Sequence, residues 1–553
     1  VNGETMTGFR ILSFASATIF AAVGFAQSQG IPINDALVIA KCGSCHTRDA
    51  SGMMQRLSFE RTTPEAWQEA LKRMVLADGV ALTPVEARSI VKYLSTSHGL
   101  APEEAKPVMY DVERRVHEET NLPSEAVQTA CTKCHSFARA LSWRRSPEDW
   151  ATFAEAHAAN YKVAADVRKE AVAYLVKTAP LHTPEWDAYS AHEKPASMEG
   201  RWLLTATIAG RGTYYGEMQV DKSGDDEYTT RSVMKSVRDG SALVRVGRIA
   251  IYGGSAWRGR SKGEPSTEAP DSLGSDGREV MRIDPDQATV EGRWFWGQYQ
   301  EFGFDVKLRR PSSGPTLLAM ATSALKAGSQ GTRIHVLGNN FPTKITSADF
   351  DFGPGVTVAS VGQHSAREIV LELNVAADAA LGAHTVKMRD SPIASTIAIY
   401  DRIDYLKVTP DTSLAAFGED MRARGYQQFD AIGFQRGPDG KPHTADDVDL
   451  GVIDVTWSIE AFYDVDGSKS KLVGSMSTTG LFTPAVENVG SNIDTFAIAT
   501  AVSDKDTSGK PLTGKGYLVV TVPSYVFNGH RYVRDLDRWV DDGPAETAKE
   551  TGK

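Results

Sequence analysis

Cysteine is scarce in this chain: four in 553 residues. So few thiols cannot build the disulfide framework of a small exported scaffold, and a chain this long can bury several cores without one. There is no block of Lys or Arg, and 60 basic against 70 acidic residues leave a formal charge of −10. That excludes the basic footprint of a nucleic-acid-binding protein. Beyond residue 30 no stretch supplies the roughly 20 apolar residues of a membrane span. No Ser-His-Asp set can be singled out, so no catalytic residue is named. Length alone predicts roughly three to five domains.

The cysteine that is present falls into one pattern, used twice. Cys42-Gly43-Ser44-Cys45-His46 and Cys131-Thr132-Lys133-Cys134-His135 take up all four residues. Cys-x-x-Cys-His is the attachment signature of c-type haem. Two thiols on one helical turn each add to a haem vinyl group, and the His that follows ligates the iron. A zinc site would pair two Cys-x-x-Cys knuckles with no need of a His after each. A thioredoxin-type motif would lie in a βαβ pattern, which this region lacks. Disulfides would leave both histidines unexplained. Two covalently bound haems c are therefore expected, on Cys42, Cys45, Cys131 and Cys134, with His46 and His135 as proximal ligands.

Each pentad opens a similar helical unit. The first continues to Trp67, Met74 and an apolar stripe at Ile90, Val91 and Leu94; the second to Trp150, His157 and a run ending Val172-Ala173-Tyr174-Leu175. Thr63-Pro64-Glu65, Thr83-Pro84 and Ser146-Pro147-Glu148 each put a capping hydroxyl before a proline, which starts a helix. A short helix is expected over 33–41 and a last one over 163–177, with a linker holding Pro102 and Pro107 between the units. Met74 lies seven residues after Trp67, and His157 seven after Trp150. Seven residues is close to two turns of about 3.6 each, so each pair shares a helix face. Met74 and His157 are thus the expected sixth ligands, one iron His/Met and the other bis-His; methionine ligation raises the potential. Met53, Met54 and Met109 compete with Met74, which could also be an ordinary core methionine. His117, His182 and His192 compete with His157, each reading more readily as a surface or linker histidine.

Residues 1–30 read as a signal peptide. Arg10 precedes an apolar run over 11–22, and Gly24-Phe25-Ala26 supplies a small-x-small cleavage site near Ala26. Met6 is a candidate start, and a retained amphipathic anchor is the alternative. Export suits c-type haem, which is attached outside the bacterial cytoplasm, so a periplasmic protein with no span in its mature form is expected.

After Pro184 the pattern changes to alternation of period two. Strands at 203–208 and 242–246, Gly/Asp turns, and Glu-Gly-Arg-Trp opening a strand at 199–202 and again at 291–294 predict an up-and-down barrel. A filled structural barrel is the plainer reading beside a ligand cup. Strands near 332–337, 356–361, 368–374 and 384–388, and then 452–461, 496–502 and 517–522, read as β-sandwiches. The fold class is therefore multidomain α plus β. A signal peptide (1–30) precedes an all-α diheme cytochrome c domain (31–180) and an antiparallel β-barrel (195–312). Two immunoglobulin-like β-sandwich domains (313–401 and 402–540) and a frayed tail (541–553) follow. Ala209-Gly210-Arg211-Gly212 reads as a hairpin turn. Asp464-Val465-Asp466-Gly467-Ser468 imitates a calcium loop without its closing Glu, and Asp439, Asp446 and Asp447 are expected on one loop.

In this order, the two pentads, the barrel and the sandwich modules resemble the large, diheme α subunit of the quinohemoprotein amine dehydrogenase family, over about 31–540. The resemblance implies a periplasmic heterotrimer that oxidises primary amines to aldehydes. Its other members are a β-propeller subunit and a small subunit carrying a cysteine tryptophylquinone. The α-subunit haems would pass electrons to a small blue-copper protein or cytochrome c. The competing reading is a free-standing diheme electron carrier whose β modules bind a surface. A diheme peroxidase would leave those modules unexplained.

Overall fold

The computed structural model describes residues 29–109, 122–132, 135–191, 197–266, 271–297, 299–392, 394–418, 424–462, 473–486 and 490–522. Cys134, His117, His192, the calcium-like run 464–468 and nearly all of the expected signal peptide lie outside them.

The helical domain begins with α1 (Ala36–Cys42), where the Asp35 carboxylate accepts from Val38 N at 2.8 Å. The short strand β1 (Glu60–Thr62) leads into α2 (Pro64–Asp78), which ends on Gly79 in the left-handed region. Next come α3 (Pro84–Ser97) and α4 (Pro102–Ala105). The second unit holds α5 (Glu125–Cys131), α6 (Ala138–Leu141), strand β2 (Trp143–Arg145), α7 (Pro147–Tyr161) and α8 (Ala165–Thr178). A further helix, α9 (Pro184–Ser190), closes the domain.

Thr63, Thr83, Ser146 and Thr183 cap α2, α3, α7 and α9, each side chain accepting a backbone N–H and each followed by proline. The hydroxyl satisfies a donor the helix leaves orphaned, and proline costs nothing where no N–H is needed. The sequence reading ended the helices at 180, yet Thr183-Pro184 carries the same signature. The strands β1 and β2 were not anticipated. They pair antiparallel, Glu60 with Arg145 and Thr62 with Trp143, and join the two units; three residues are too few to show an alternation.

The barrel runs β3 (Gly200–Ile208), β4 (Gly212–Gly224), β5 (Glu227–Ser236), β6 (Ala242–Tyr252), β7 (Ala256–Gly263), β8 (Gly277–Ile283), β9 (Thr289–Trp296) and β10 (Phe302–Arg309). Each strand pairs with the next, and β10 returns to β3 to close the sheet. Inward positions carry Trp202, Trp257, Trp294 and Phe304, all wholly buried, so side chains fill the interior. The turn at Gly210 joins β3 to β4, with Arg211 N donating to Ile208 O at 3.2 Å. The second Glu-Gly-Arg-Trp begins at the third residue of β9 rather than opening it.

Further β-sheet domains follow. Four strands (Thr316–Met320, Thr332–Asn339, Glu368–Val375, Val356–His364) make one sheet and four more (Ala324–Lys326, Ser395–Tyr400, Gly382–Met388, Phe350–Asp351) the other. Both feed one core, which holds Leu317, Ile334, Leu371, Val386 and Ile397. In the last region the run read as one strand over 452–461 divides. Val448–Val452 pairs with Asp430–Gln435, whereas Val455–Ala461 pairs with Ile493–Lys505. Asp439 and Asp447 do share a loop, but their carboxylates accept from the loop's own Lys441, Gly437 and Thr444 N–H groups.

The helical domain sits against the barrel wall. Ala250 and Tyr252 join the apolar core of the first unit, with Trp67, Ile90 and Leu94. Buried Glu65 at the start of α2 pairs with Arg258 of β7.

Candidate haem sites

Cys42 is the last residue of α1, so Cys45 and His46 leave the helix in a turn, both N–H groups donating to Cys42 O, at 3.2 and 2.9 Å. Cys42 is half-buried, Cys45 exposed, and both are free thiols. Burial, reinforced by Cys45, pushes the Cys42 thiol up to about 11. Burial also raises Cys131.

The loop after His46 is tied by its own chain. Asp49 accepts from Ser51 N and Met53 N, each at 2.9 Å, and Gln55 N donates to Thr47 O at 3.0 Å. That brings Gln55 O to 3.0 Å from His46 Nδ1. With Nδ1–H donating there, Nε2 is left with its lone pair for a metal. Burial lowers the His46 pKa, the Gln55 carbonyl opposing it, so the ring stays neutral. Asp78, one turn beyond Met74 on α2, is close enough to act on His46 electrostatically.

Met74 is half-buried on the α2 face that carries buried Trp67 and Leu71. The competing methionines are otherwise engaged. Met54 is wholly buried in the first unit's core, and Met109 packs on the outer wall of the barrel against Val280 and Phe295. Met53 sits at Gly30, where an added Cβ would come within 3.1 Å of its sulfur.

In the second unit the structure brings the two named histidines together. The rings of His135 and His157 lie 6.4 Å apart between centroids, inclined at 73°. Two imidazoles ligating one metal ion from opposite sides, at about 2 Å each, place their ring centres about 6 Å apart. The pair therefore fits a bis-His iron. His135 Nδ1 lies 2.8 Å from Ser136 O, which again leaves Nε2 for the metal. His157 stands in a file along α7: Trp150 to Phe153 at 6.0 Å, Phe153 to His157 at 5.5 Å, His157 to Tyr161 at 4.6 Å. Burial lowers its pKa, and His135 and Arg139 lower it further. Phe153 and Tyr161, four residues either side of His157, were not singled out from the sequence, although their spacing was there to be read. Of the competing histidines, His182 gives Nε2 to Gln29 O at 2.6 Å.

A helical domain that carries both pentads, joined to a closed barrel and further β-sheet domains, defines a multidomain chain of the haem-binding class. Residues 33–175 match the family model "Quinohemoprotein amine dehydrogenase A, alpha subunit, haem binding". Domain II of the same alpha subunit matches 195–311, domain III 314–401 and domain IV 406–529. The chain belongs to the quinohemoprotein amine dehydrogenase alpha-subunit family. No curated protein matches it. Among solved structures, a redesigned β-barrel is 13% identical, over 21% of this chain and 92% of that one, at a TM-score of 0.18. Human protocadherin-24 EC1-2 is 10% identical over 38% and 100%, at 0.17. Drosophila OTK extracellular domains 3–5 are 10% identical over 59% and 87%, at 0.14. At these TM-scores the likenesses bear no argument.

Proposed function

We propose that this chain is the diheme electron-transfer subunit of a periplasmic quinohemoprotein amine dehydrogenase. It takes electrons from a cysteine tryptophylquinone on a partner subunit and passes them to a small copper protein or cytochrome c. The observation that carries the reading is the 6.4 Å spacing of the His135 and His157 rings, His135 being the last residue of a Cys-x-x-Cys-His pentad, in a chain whose family binds haem.

Cys42 and Cys45 would hold one haem c, with His46 and Met74 as axial ligands. Cys131 and Cys134 would hold the other, between His135 and His157. When bound, each iron supplies a one-electron couple, raised in potential where methionine is the ligand. The protein's own part is placement. Gln55 O and Ser136 O fix the ring tautomers, and the α2 and α7 faces hold the sixth ligands at matching positions.

The division of labour follows from the cysteines. A cysteine tryptophylquinone needs a thiol to link to an indole, and all four thiols here belong to the pentads. The reactive carbonyl and the base that takes the substrate proton then sit on another chain, with a β-propeller subunit completing a heterotrimer. No helix among the described residues is long and apolar enough to cross a membrane. Periplasmic placement is supported by the leader-like segment and by the site of c-type haem attachment.

Isolation of the native protein tests this. A tight three-chain complex that reduces dye on addition of a primary amine is expected. The separated, haem-loaded chain should show no amine-dependent reduction and no quinone stain, yet still carry electrons from dithionite to a blue-copper protein. A lone, fully competent electron carrier would favour the free-standing alternative.

A further inference from the structure

Trp143 belongs to both helical units at once. It packs against the core of the first, which holds Trp67 and Leu71, and against that of the second, which holds Trp150 and Phe137. Its ring meets Trp67 edge-on, 5.6 Å between centroids. The Arg145 guanidinium lies 4.5 Å from the Trp143 ring and 4.8 Å from the Phe153 ring. Phe153 stacks on His157 at 5.5 Å, inclined at 29°. Trp67, Trp143, Arg145, Phe153 and His157 thus form an unbroken file of π groups. It starts on the helix that carries Met74 and ends on the imidazole whose ring centre lies 6.4 Å from that of His135.

The file is held on every side. Pairing of β1 with β2 sets Trp143 opposite Thr62. The carboxylates of Glu60 and Asp149 both take the Arg145 guanidinium. Trp67 Nε1 donates to His98 O at 3.1 Å, and Trp150 Nε1 to Ala179 O at 2.9 Å. These contacts fix the groups packed around the half-buried Trp143 indole. Such fixity serves a two-site relay, because electron tunnelling weakens steeply wherever the path crosses empty space.

We propose that Trp143 is a positioning residue that couples the two haem sites electronically. The inference rests on the two-haem reading above. One electron leaves the reduced site and reaches the oxidised one. The indole gains and loses nothing; it fills the seam with matter in contact on both sides. Arg145 serves the same path as a planar π cation held against both Trp143 and Phe153.

The test uses the full, haem-loaded protein with Trp143→Leu and, as the conservative change, Trp143→Phe. One electron is delivered by a short pulse of a radical reductant, and its redistribution between the haems is followed by absorbance. Haem content, both midpoint potentials and the sulfur-to-iron band are measured on the same samples. We expect Trp143→Leu to slow redistribution on the order of tenfold or more, since a void strips the path of contacts. Trp143→Phe should recover much of the rate, with both potentials unmoved in each variant. An unchanged rate in Trp143→Leu overturns the proposal. So does a slowing that comes only with a shifted potential or a lost band, because that marks a structural role. If Trp143→Leu does not fold, Trp143→Phe decides: a smaller slowing at fixed potentials supports the coupling, and none overturns it. Fewer than two haems in the unaltered protein would instead remove the function on which the inference stands.

Discussion

Arg61 and Glu104 form a two-pronged ion pair, Nη1 to Oε2 and Nη2 to Oε1 each at 2.8 Å, with both side chains almost wholly buried. The pair ties three parts of the helical domain together. Arg61 lies in β1, and Glu104 in the linker helix α4. Glu104 also accepts from Thr183 Oγ1, at 2.8 Å, at the start of α9, and the Trp186 ring lies 4.5 Å from the Arg61 guanidinium. Arg144 adds a second buried cation at 3.3 Å from Glu104. Neutralising the one carboxylate leaves two guanidinium groups buried without it. We expect Glu104→Gln to lower the stability of the helical domain by about 3–5 kcal/mol. Urea unfolding followed at the haem band should show an earlier transition, while that of the barrel stays in place.

The His135–His157 pair yields a spectroscopic prediction. Removing one imidazole from a six-coordinate iron opens a position for an external ligand. His157→Ala should let the reduced protein bind carbon monoxide at one haem, seen as a shifted Soret band of about half the total amplitude. The unaltered protein should bind little. Equal carbon monoxide binding by both would argue against His157 as a ligand.

Met74→Ala addresses the other iron. It should abolish the sulfur-to-iron absorption at the red end of the oxidised spectrum. One midpoint potential should fall, since methionine ligation raises it. His157→Ala should leave that band intact. If Met74→Ala spares both the band and the potentials, Met53, which no core cluster holds, becomes the next residue to change.

How far the sequence carries depends on how local each feature is. Cys-x-x-Cys-His is contiguous, so its chemistry can be read with no fold in hand. The first barrel strand alternates, with Trp202, Leu204, Ala206 and Ile208 turned to the core, and such runs between Gly/Asp turns make an up-and-down barrel legible. The strands Ala242–Tyr252 and Gly277–Ile283 bury consecutive residues and carry no such signal. Met74 and His157 emerge from a repeat, because internal duplication stands in for three-dimensional information. The seam between the units had no such signal. Thr62 and Trp143 are 81 residues apart and sit in strands of three residues, too short for any period. Nor does spacing reveal that Gln55 O meets His46, since that depends on how Asp49 folds the loop between them. The helix α9 was legible and missed, because the Thr-Pro signature was outweighed by the alternation that follows.

Thioether attachment is checked by extraction. Acid-acetone should leave the pigment on the polypeptide, and Cys42→Ala with Cys45→Ala should halve the haem stain. Two separate pentads make the effects independent. Complete loss of colour into the solvent, or complete loss of stain in the double variant, would count against two covalently held haems.

The last prediction concerns pH. His98, at the end of α3, is wholly buried, with Nδ1 at 2.8 Å from Ser97 Oγ and Nε2 at 3.3 Å from Ile31 O. Burial brings its pKa down from 6.5 to about 4, the Ile31 carbonyl opposing and Arg61 adding to the effect. Between those values the unfolded chain binds a proton that the folded chain refuses. Stability from this site is therefore present above pH 6.5 and lost as pH falls through 4, a total of about 3 kcal/mol. Glu60 works in the opposite sense. Burial, opposed by Arg145 and aided by Asp149, pushes it from 4.5 up to about 7. Its contribution is present below pH 4.5 and lost as pH rises through 7. A single stability curve would mix the two, so each needs its own variant. The difference between His98→Gln and the unaltered protein should change only between pH 6.5 and 4, the variant losing less stability on acidification. The difference between Glu60→Gln and the unaltered protein should change only between pH 4.5 and 7, the variant lacking the loss that Glu60 causes as pH rises. Urea midpoints of the helical domain across that range give the answer. Parallel curves for His98→Gln and the unaltered protein would mean that the folded chain accepts the proton at His98 as readily as the unfolded one.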